Sequence, residues 1–158
     1  MKKLMTLFFL LALTLGAKAQ FEEGKKYVGA SLTGLGLSYS SSTSFSLGLS
    51  AEAGYFIKDN WQLRAALDYD HQKHVDNIGI DLGARYYFQQ NGIFLGAGLA
   101  YDHFTKSINS VSIPLEVGYA FFLTRHVTVQ PSVYYKMSLN KFSDCSRVGL
   151  RIGFGYYF

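Results

Sequence analysis

Hydrophobic and polar residues alternate strictly along the last segment of the chain, SRVGLRIGFGYYF (146–158). Every second residue from Val148 to Phe158 is apolar, whereas the residues between them include Arg151 and three glycines. A period of two is the pattern of a β-strand with two unlike faces. In a soluble sheet the apolar row would face the core, whereas in a membrane barrel it would face lipid and the arginines would point into the lumen.

The same alternation recurs in eight segments, and it predicts an all-β chain. The segments span roughly 11 to 13 residues, which is longer than strands of globular proteins and sufficient to cross a bilayer when tilted. Tight turns alternate with longer polar loops, as in an up-and-down outer-membrane barrel whose termini lie in the periplasm. The predicted strands are 27–38, 45–57, 61–71, 78–89, 93–104, 111–123, 127–139 and 146–158.

The face opposite the apolar rows carries nearly balanced charges. An eight-stranded barrel has an interior only wide enough for packed side chains, so paired charges and small glycines would fill it. We therefore expect a buried ion-pair network centred on Arg151, with Arg64 and Arg85 in a second, more solvated layer nearer the turns. The predicted members of this network are Glu52, Arg64, Asp68, Asp81, Arg85, Glu116 and Arg151.

Aromatic residues on the apolar face gather at the ends of the strands, whereas the middle of that face is aliphatic. Two aromatic girdles around an aliphatic band are typical of the two membrane interfaces. The apolar face is therefore predicted to contact lipid. An arginine at Leu115 should be costly there, while Gly118 on the opposite face should tolerate serine if the lumen has room.

The first 19 residues have the three parts of a secretory signal peptide. Lys2 and Lys3 precede an apolar stretch from Leu4 to Leu15, and Ala17-Lys18-Ala19 forms a small-x-small cleavage site. The apolar stretch is too short for a transmembrane helix, which needs about 20 residues. We expect residues 1–19 to be cleaved and residues 20–158 to form one barrel domain.

The net charge gives no indication of a nucleic-acid partner. The formal charge of +4 comes from 15 basic and 11 acidic residues, and three of the lysines belong to the predicted signal peptide. The remainder carries +1, and no basic patch with interleaved aromatic residues appears. Cys145 is the single cysteine, so it has no partner for an intramolecular disulfide, and its polar surroundings favour an incidental loop residue.

In these features the sequence resembles the small outer-membrane β-barrel proteins of Gram-negative bacteria, the OmpA/OmpX-like eight-stranded families. The resemblance covers residues 25–158, and its most specific part is the last strand, GLRIGFGYYF, which ends in Phe158. It implies that this strand, with its terminal aromatic residue, is the signal that the barrel-assembly machinery reads. It also implies an outer-membrane location in contact with lipid, and we expect a monomer.

Three functions remain open on the sequence. A non-enzymatic structural or cell-surface role requires nothing beyond the features above, since fold alone does not imply function. A lipid A-modifying enzyme would need a histidine-activated nucleophile at the outer rim, where His71 and His103 occur near Ser107 and Ser110. A narrow pore is the third, although open porins use 16 to 18 strands.

No cofactor or metal is predicted. The spacing of His71 and His74 alone is weak evidence for a metal site, and His103 would join them only if two loops fold together. Asp70 and Asp102 lie on the opposite face from the histidines that follow them, so neither is placed to orient its neighbour in a catalytic triad. A soluble lipocalin-type barrel would instead need an apolar interior, and it is disfavoured for that reason.

Overall fold

In the computed structural model, an antiparallel sheet closes into an eight-stranded barrel. The structure describes residues 21–33, 47–72, 75–89, 91–104, 108–139 and 147–158. The strands are β1 (Lys26–Thr33), β2 (Leu47–Lys58), β3 (Trp61–Gln72), β4 (Val75–Tyr87), β5 (Ile93–Phe104), β6 (Ile108–Tyr119), the two-residue β7 (Phe121–Phe122), β8 (Val127–Ser138) and β9 (Arg147–Tyr157).

Consecutive strands pair with each other, except β6 and β7, and two further pairings close the wall. β1 pairs with β9, from Tyr27 opposite Tyr157 to Thr33 opposite Arg151. β6 pairs with β8, from Ser112 opposite Ser138 to Gly118 opposite Ser132. β7 continues β6 beyond a break at Ala120 and also pairs with β8. The nine labelled segments therefore form the eight strands of the barrel wall, which we call staves, with β6 and β7 together as one stave. This closed antiparallel arrangement confirms the predicted fold class.

The turn end of the barrel holds the tight connections. Asp59 and Asn60 link β2 to β3, and Asn60 has φ 67°, a left-handed conformation that asparagine tolerates better than most residues. Gly92 has φ 71° in the turn before β5, where a glycine avoids the strain that a Cβ would bring. Residues 123–126 connect β7 to β8 at the same end.

Several strands differ in length from the prediction. β4 begins at Val75 and β6 at Ile108, so both strands take in residues that the sequence assigned to polar loops. The reason is that backbone pairing does not require an apolar side chain, and the hairpins continue beyond the apolar band. The described part of β1 ends at Thr33, and the rest of the predicted strand 27–38 lies outside the described residues.

The predicted assignment of faces is confirmed for the described side chains. In β9, Val148, Leu150, Ile152, Phe154 and Tyr156 are exposed on the outside, while the residues between them are buried inside the barrel. Large apolar residues are exposed in the same way on every long strand. None of the described residues forms a helix long and apolar enough to cross a membrane.

Candidate functional site: the barrel lumen

The middle of the lumen contains a cluster of buried ion pairs around Arg85. Arg85 lies on β4 with only 1% of its surface exposed. Its Nε and Nη2 atoms donate to Oε2 of Glu116 on β6 at 3.1 and 3.0 Å, and Nη2 also donates to Glu52 Oε2 on β2 at 3.1 Å. Its Nη1 atom donates to Gln130 Oε1 on β8 at 3.3 Å. One guanidinium therefore connects four staves of the wall.

Arg64 and Arg151 complete this cluster. Arg64 on β3 contacts Glu52 Oε2 at 3.2 Å and Asp81 Oδ1 at 3.1 Å. Arg151 on β9 lies 3.6 Å from Glu116 Oε1, and its guanidinium carbon is 5.1 Å from the centre of the Tyr134 ring. Such pairing is what makes a buried guanidinium tolerable, because an isolated buried charge is strongly unfavourable.

Arg151 lies within ion-pair distance of a predicted partner, Glu116, but the prediction that the network is centred on Arg151 is wrong. Arg85 contacts both glutamates, whereas Arg151 contacts Glu116, and Arg64 and Arg85 are as buried as Arg151 instead of forming a more solvated layer. The prediction ranked residues by counting along each strand from the turns. Staves in a barrel are tilted and staggered, so equal counts do not mean equal heights.

A second, smaller group of charges lies toward the loop end. Lys136 Nζ is 3.5 Å from Asp68 Oδ2 and 3.3 Å from Asp102 Oδ1. The same Asp102 oxygen accepts a hydrogen bond from Asn77 Nδ2 at 3.3 Å. Asp68 was predicted to join the Arg151 network, but it forms an ion pair with Lys136.

The turn end of the lumen is filled by aromatic side chains that the sequence analysis missed. The signal was present in adjacent aromatic residues such as Tyr86-Tyr87 and Tyr156-Tyr157, because a strand must turn one member of each pair inward. Tyr27 connects this layer to the ion pairs by donating a 2.6 Å hydrogen bond to Glu52 Oε1. The buried aromatic members are Phe21, Tyr27, Phe56, Tyr87, Phe94 and Tyr157, and Ala120 belongs to the same buried cluster.

Several inward glycines make room for a large side chain on a neighbouring strand. A Cβ at Gly155 would collide with the Tyr27 ring, and one at Gly118 would collide with the Phe94 ring and come within 2.7 Å of Ser132 Cβ. Serine at Gly118 therefore does not fit, because the lumen lacks the room on which the expected tolerance depended. The glycine is required by its cross-strand neighbour, since core packing leaves no free volume there.

The candidate catalytic residues do not come together where the structure describes them. His103 is exposed on the outer face, whereas Asp102 is buried inside. The Ser110 hydroxyl is also buried inside, and it lies 3.1 Å from the Ser138 hydroxyl. The side chain of His71, together with His74, Ser107 and Cys145, lies outside the described part of the structure.

The described residues contain no group of three or more histidine, cysteine, aspartate or glutamate side chains that could hold a metal ion. The lumen acids instead face arginine and lysine at ion-pair distances. In this arrangement, ion pairs connect strands on different sides of the barrel across the lumen. The arrangement brings no nucleophile and base together among the side chains considered above.

Solved structures of small outer-membrane barrels share this fold. The N-terminal β-barrel domain of Pseudomonas aeruginosa OprF is 17% identical, with a TM-score of 0.68 over 86% of this chain and 98% of that one. Neisserial surface protein A is 21% identical, with a TM-score of 0.69 over 86% and 100%. Ail of Yersinia pestis is 18% identical, with a TM-score of 0.52 over 86% and 99%.

Sequence comparison gives the family. No protein of curated function matches the chain by sequence. Residues 5–158 match the outer membrane protein beta-barrel domain, which covers nearly the whole chain. This chain therefore belongs to the outer membrane protein beta-barrel domain family and is an outer-membrane β-barrel protein of Gram-negative bacteria.

Proposed function

We propose that this protein is a non-enzymatic outer-membrane barrel with a structural or cell-surface role, and that its lumen is closed to solutes. The observation that carries the proposal is the position of Arg85, whose guanidinium connects β4 to β2, β6 and β8 across the interior. Because its partners come from distant staves, the ion pairs occupy the cross-section instead of lining a channel. Eight staves leave little space beside them.

Energetics support a closed state that persists. Removing one partner of a buried ion pair typically costs about 3 to 5 kcal/mol, because the other charge is left without compensation. Glu52 has two arginine partners and Glu116 has three, and Ser132 donates a further 2.8 Å hydrogen bond to Glu116 Oε1. Opening a water path through this layer would break several of these contacts together.

The geometry of the outer rim supports a role without catalysis. A histidine-activated serine needs the two side chains within hydrogen-bond reach. His103 and Ser110 lie on opposite faces of the wall, and the Ser110 hydroxyl lies 3.1 Å from the Ser138 hydroxyl. Of the candidate residues that the structure describes, His103 and Ser110 therefore do not form such a pair, which supports the proposal.

A deletion strain tests the role most broadly. We expect its envelope to become more sensitive to detergent while its lipid A composition and its uptake of small hydrophilic solutes stay unchanged. Complementation with His103→Ala should restore the wild-type behaviour. A changed lipid A composition that His103→Ala fails to restore would support the enzyme, and slower solute uptake in the deletion strain would support the pore.

Biogenesis is the second part of the proposal. We propose that residues 1–19 are removed on export, that both termini are periplasmic, and that the barrel is a monomer surrounded by lipid. Phe158 extends outward beyond β9, more than half exposed, and its backbone N–H donates to Lys26 O at 2.9 Å. It is thus presented where the assembly machinery could contact it.

Phe158→Ser should leave export intact and reduce the amount of heat-modifiable, folded barrel in the outer membrane. Phe88→Ser is the matched control, because Phe88 is also an exposed aromatic residue near the turn end but lies after β4. Fractionation and gel migration without boiling measure both. Normal assembly of Phe158→Ser would show that the terminal aromatic residue carries no signal.

A further inference from the structure

The segment before β1, Phe21–Lys25, crosses the turn end of the barrel and is tied to its rim. The Asn60 N–H donates to Phe21 O at 2.7 Å, and the Gly24 N–H donates to Phe56 O at 2.9 Å. The Glu23 N–H donates to the Asp59 carboxylate at 2.9 Å. Gly24 has φ 86°, a left-handed conformation that redirects the chain into β1. These contacts attach the segment to the turn between β2 and β3.

The Phe21 ring enters the lumen and is almost completely buried. It stacks on Tyr87, with ring centres 4.1 Å apart and an angle of 21° between the planes. It also packs at 5.5 Å against Phe122, at 6.0 Å against Phe56 and at 6.1 Å against Tyr157. These four neighbours come from β4, β7, β2 and β9, so the ring lies at the centre of the cross-section.

Above the rings, two buried glutamines join the contacts between the aromatic cluster and the ion pairs. Gln130 Nε2 donates to the Tyr157 hydroxyl at 2.9 Å, while its Oε1 accepts from Arg85 at 3.3 Å. The Tyr87 hydroxyl donates to Gln62 Oε1 at 3.1 Å. Gln130 therefore contacts both layers. The reactivity of a cysteine placed at position 130 would measure whether water passes the aromatic layer.

We propose that Phe21–Lys25 is an intramolecular stopper, which closes the turn end of the lumen separately from the ion pairs. The stopper is held by ring packing and backbone hydrogen bonds, so it does not depend on the charges above it. The inference extends the closed lumen of the proposed function by adding a second barrier in series. Its consequence is that the space around Gln130 has no access to solvent from the turn end while Phe21 is in place.

Thiol labelling in the full-length, detergent-purified barrel tests the stopper. Gln130→Cys is placed in a Cys145→Ser background, and its reaction with a small cationic methanethiosulfonate reagent is timed. Adding Phe21→Ala should increase the labelling rate by about tenfold or more, because a buried thiol reacts only when it is accessible. The matched control is Phe88→Ala, which removes an exposed ring near the same end and should leave the rate unchanged.

A second variant covers the case in which Phe21→Ala fails to fold, which gel migration without boiling would reveal. Asp59→Ala lies at an exposed turn position and removes the acceptor of the Glu23 N–H, so it should loosen the segment and raise the rate less. Unchanged labelling in the folded variants would overturn the stopper. Ion conductance by the wild-type barrel would contradict both barriers, whereas unchanged labelling in a barrel without conductance overturns the stopper alone, so the two failures are distinguishable.

Discussion

The two faces of the barrel wall place different demands on the sequence. Outward side chains such as Leu67, Leu82 and Leu99 are each about 60% exposed, and we expect lipid to surround them in the membrane. Inward side chains such as Arg85 and Phe94 meet side chains from several other staves. The effect of a substitution at an outward position therefore depends mainly on the polarity of the new side chain. At an inward position it depends on which side chains of other strands the new side chain would contact.

Two inward glycines illustrate this dependence. Gly118 and Gly153 share a face and a residue type, but Gly118 lies against the Phe94 ring, whereas a Cβ at Gly153 would meet atoms no closer than 3.5 Å. The parity of the strand is the same for both. Only the three-dimensional neighbours distinguish a required glycine from a replaceable one.

Removing the central guanidinium should have the largest effect. Arg85→Ala leaves Glu52 and Glu116 short of a partner inside the lumen, at a cost of about 3 to 5 kcal/mol in the free energy of unfolding. Arg125→Ala is the control, because Arg125 is an exposed arginine in a turn and should change stability little. Urea unfolding in lipid vesicles measures the stability of both variants. Equal losses in the free energy of unfolding would show that the ion pairs of Arg85 do not stabilise the barrel.

A charge on the lipid face should have the next largest effect. Leu115→Arg places a guanidinium on the outer face in the middle of β6, at about 2 to 4 kcal/mol near the bilayer midplane. The same substitution at Leu123, in the exposed turn, should cost about 0 to 1 kcal/mol near the interface. If both cost the same in the unfolding assay, the apolar face does not contact lipid.

The two glycines provide the smallest and most selective comparison. Gly118→Ala should destabilise by about 1 to 3 kcal/mol through overpacking against Phe94. Gly153→Ala should leave stability unchanged or raise it by up to about 1 kcal/mol, because strand glycines carry an entropic cost. Phe94→Leu should partly rescue Gly118→Ala. If Gly118→Ala and Gly153→Ala change the free energy of unfolding equally, the lumen is less tightly packed than the structure indicates.

The sequence was sufficient to predict the fold and to predict which charged side chains point into the lumen. Strand alternation has a period of two, so the inward position of Arg64, Arg85 and Arg151 follows from counting along one strand. Which carboxylate each arginine contacts does not follow, because tilt and stagger bring together residues from different heights. The ring of Phe21 was unpredictable in another way, since it lies before the first strand and has no alternation to place it.

Ion conductance of the wild-type barrel in planar lipid bilayers tests the closed lumen most directly. Ions pass through openings too small for sugars, so conductance detects even a narrow path beside Arg85. The account predicts that the reconstituted, folded barrel shows no reproducible conductance steps. Regular steps with a current proportional to voltage would contradict it, and would show that a continuous water path passes both the ion pairs and the aromatic layer.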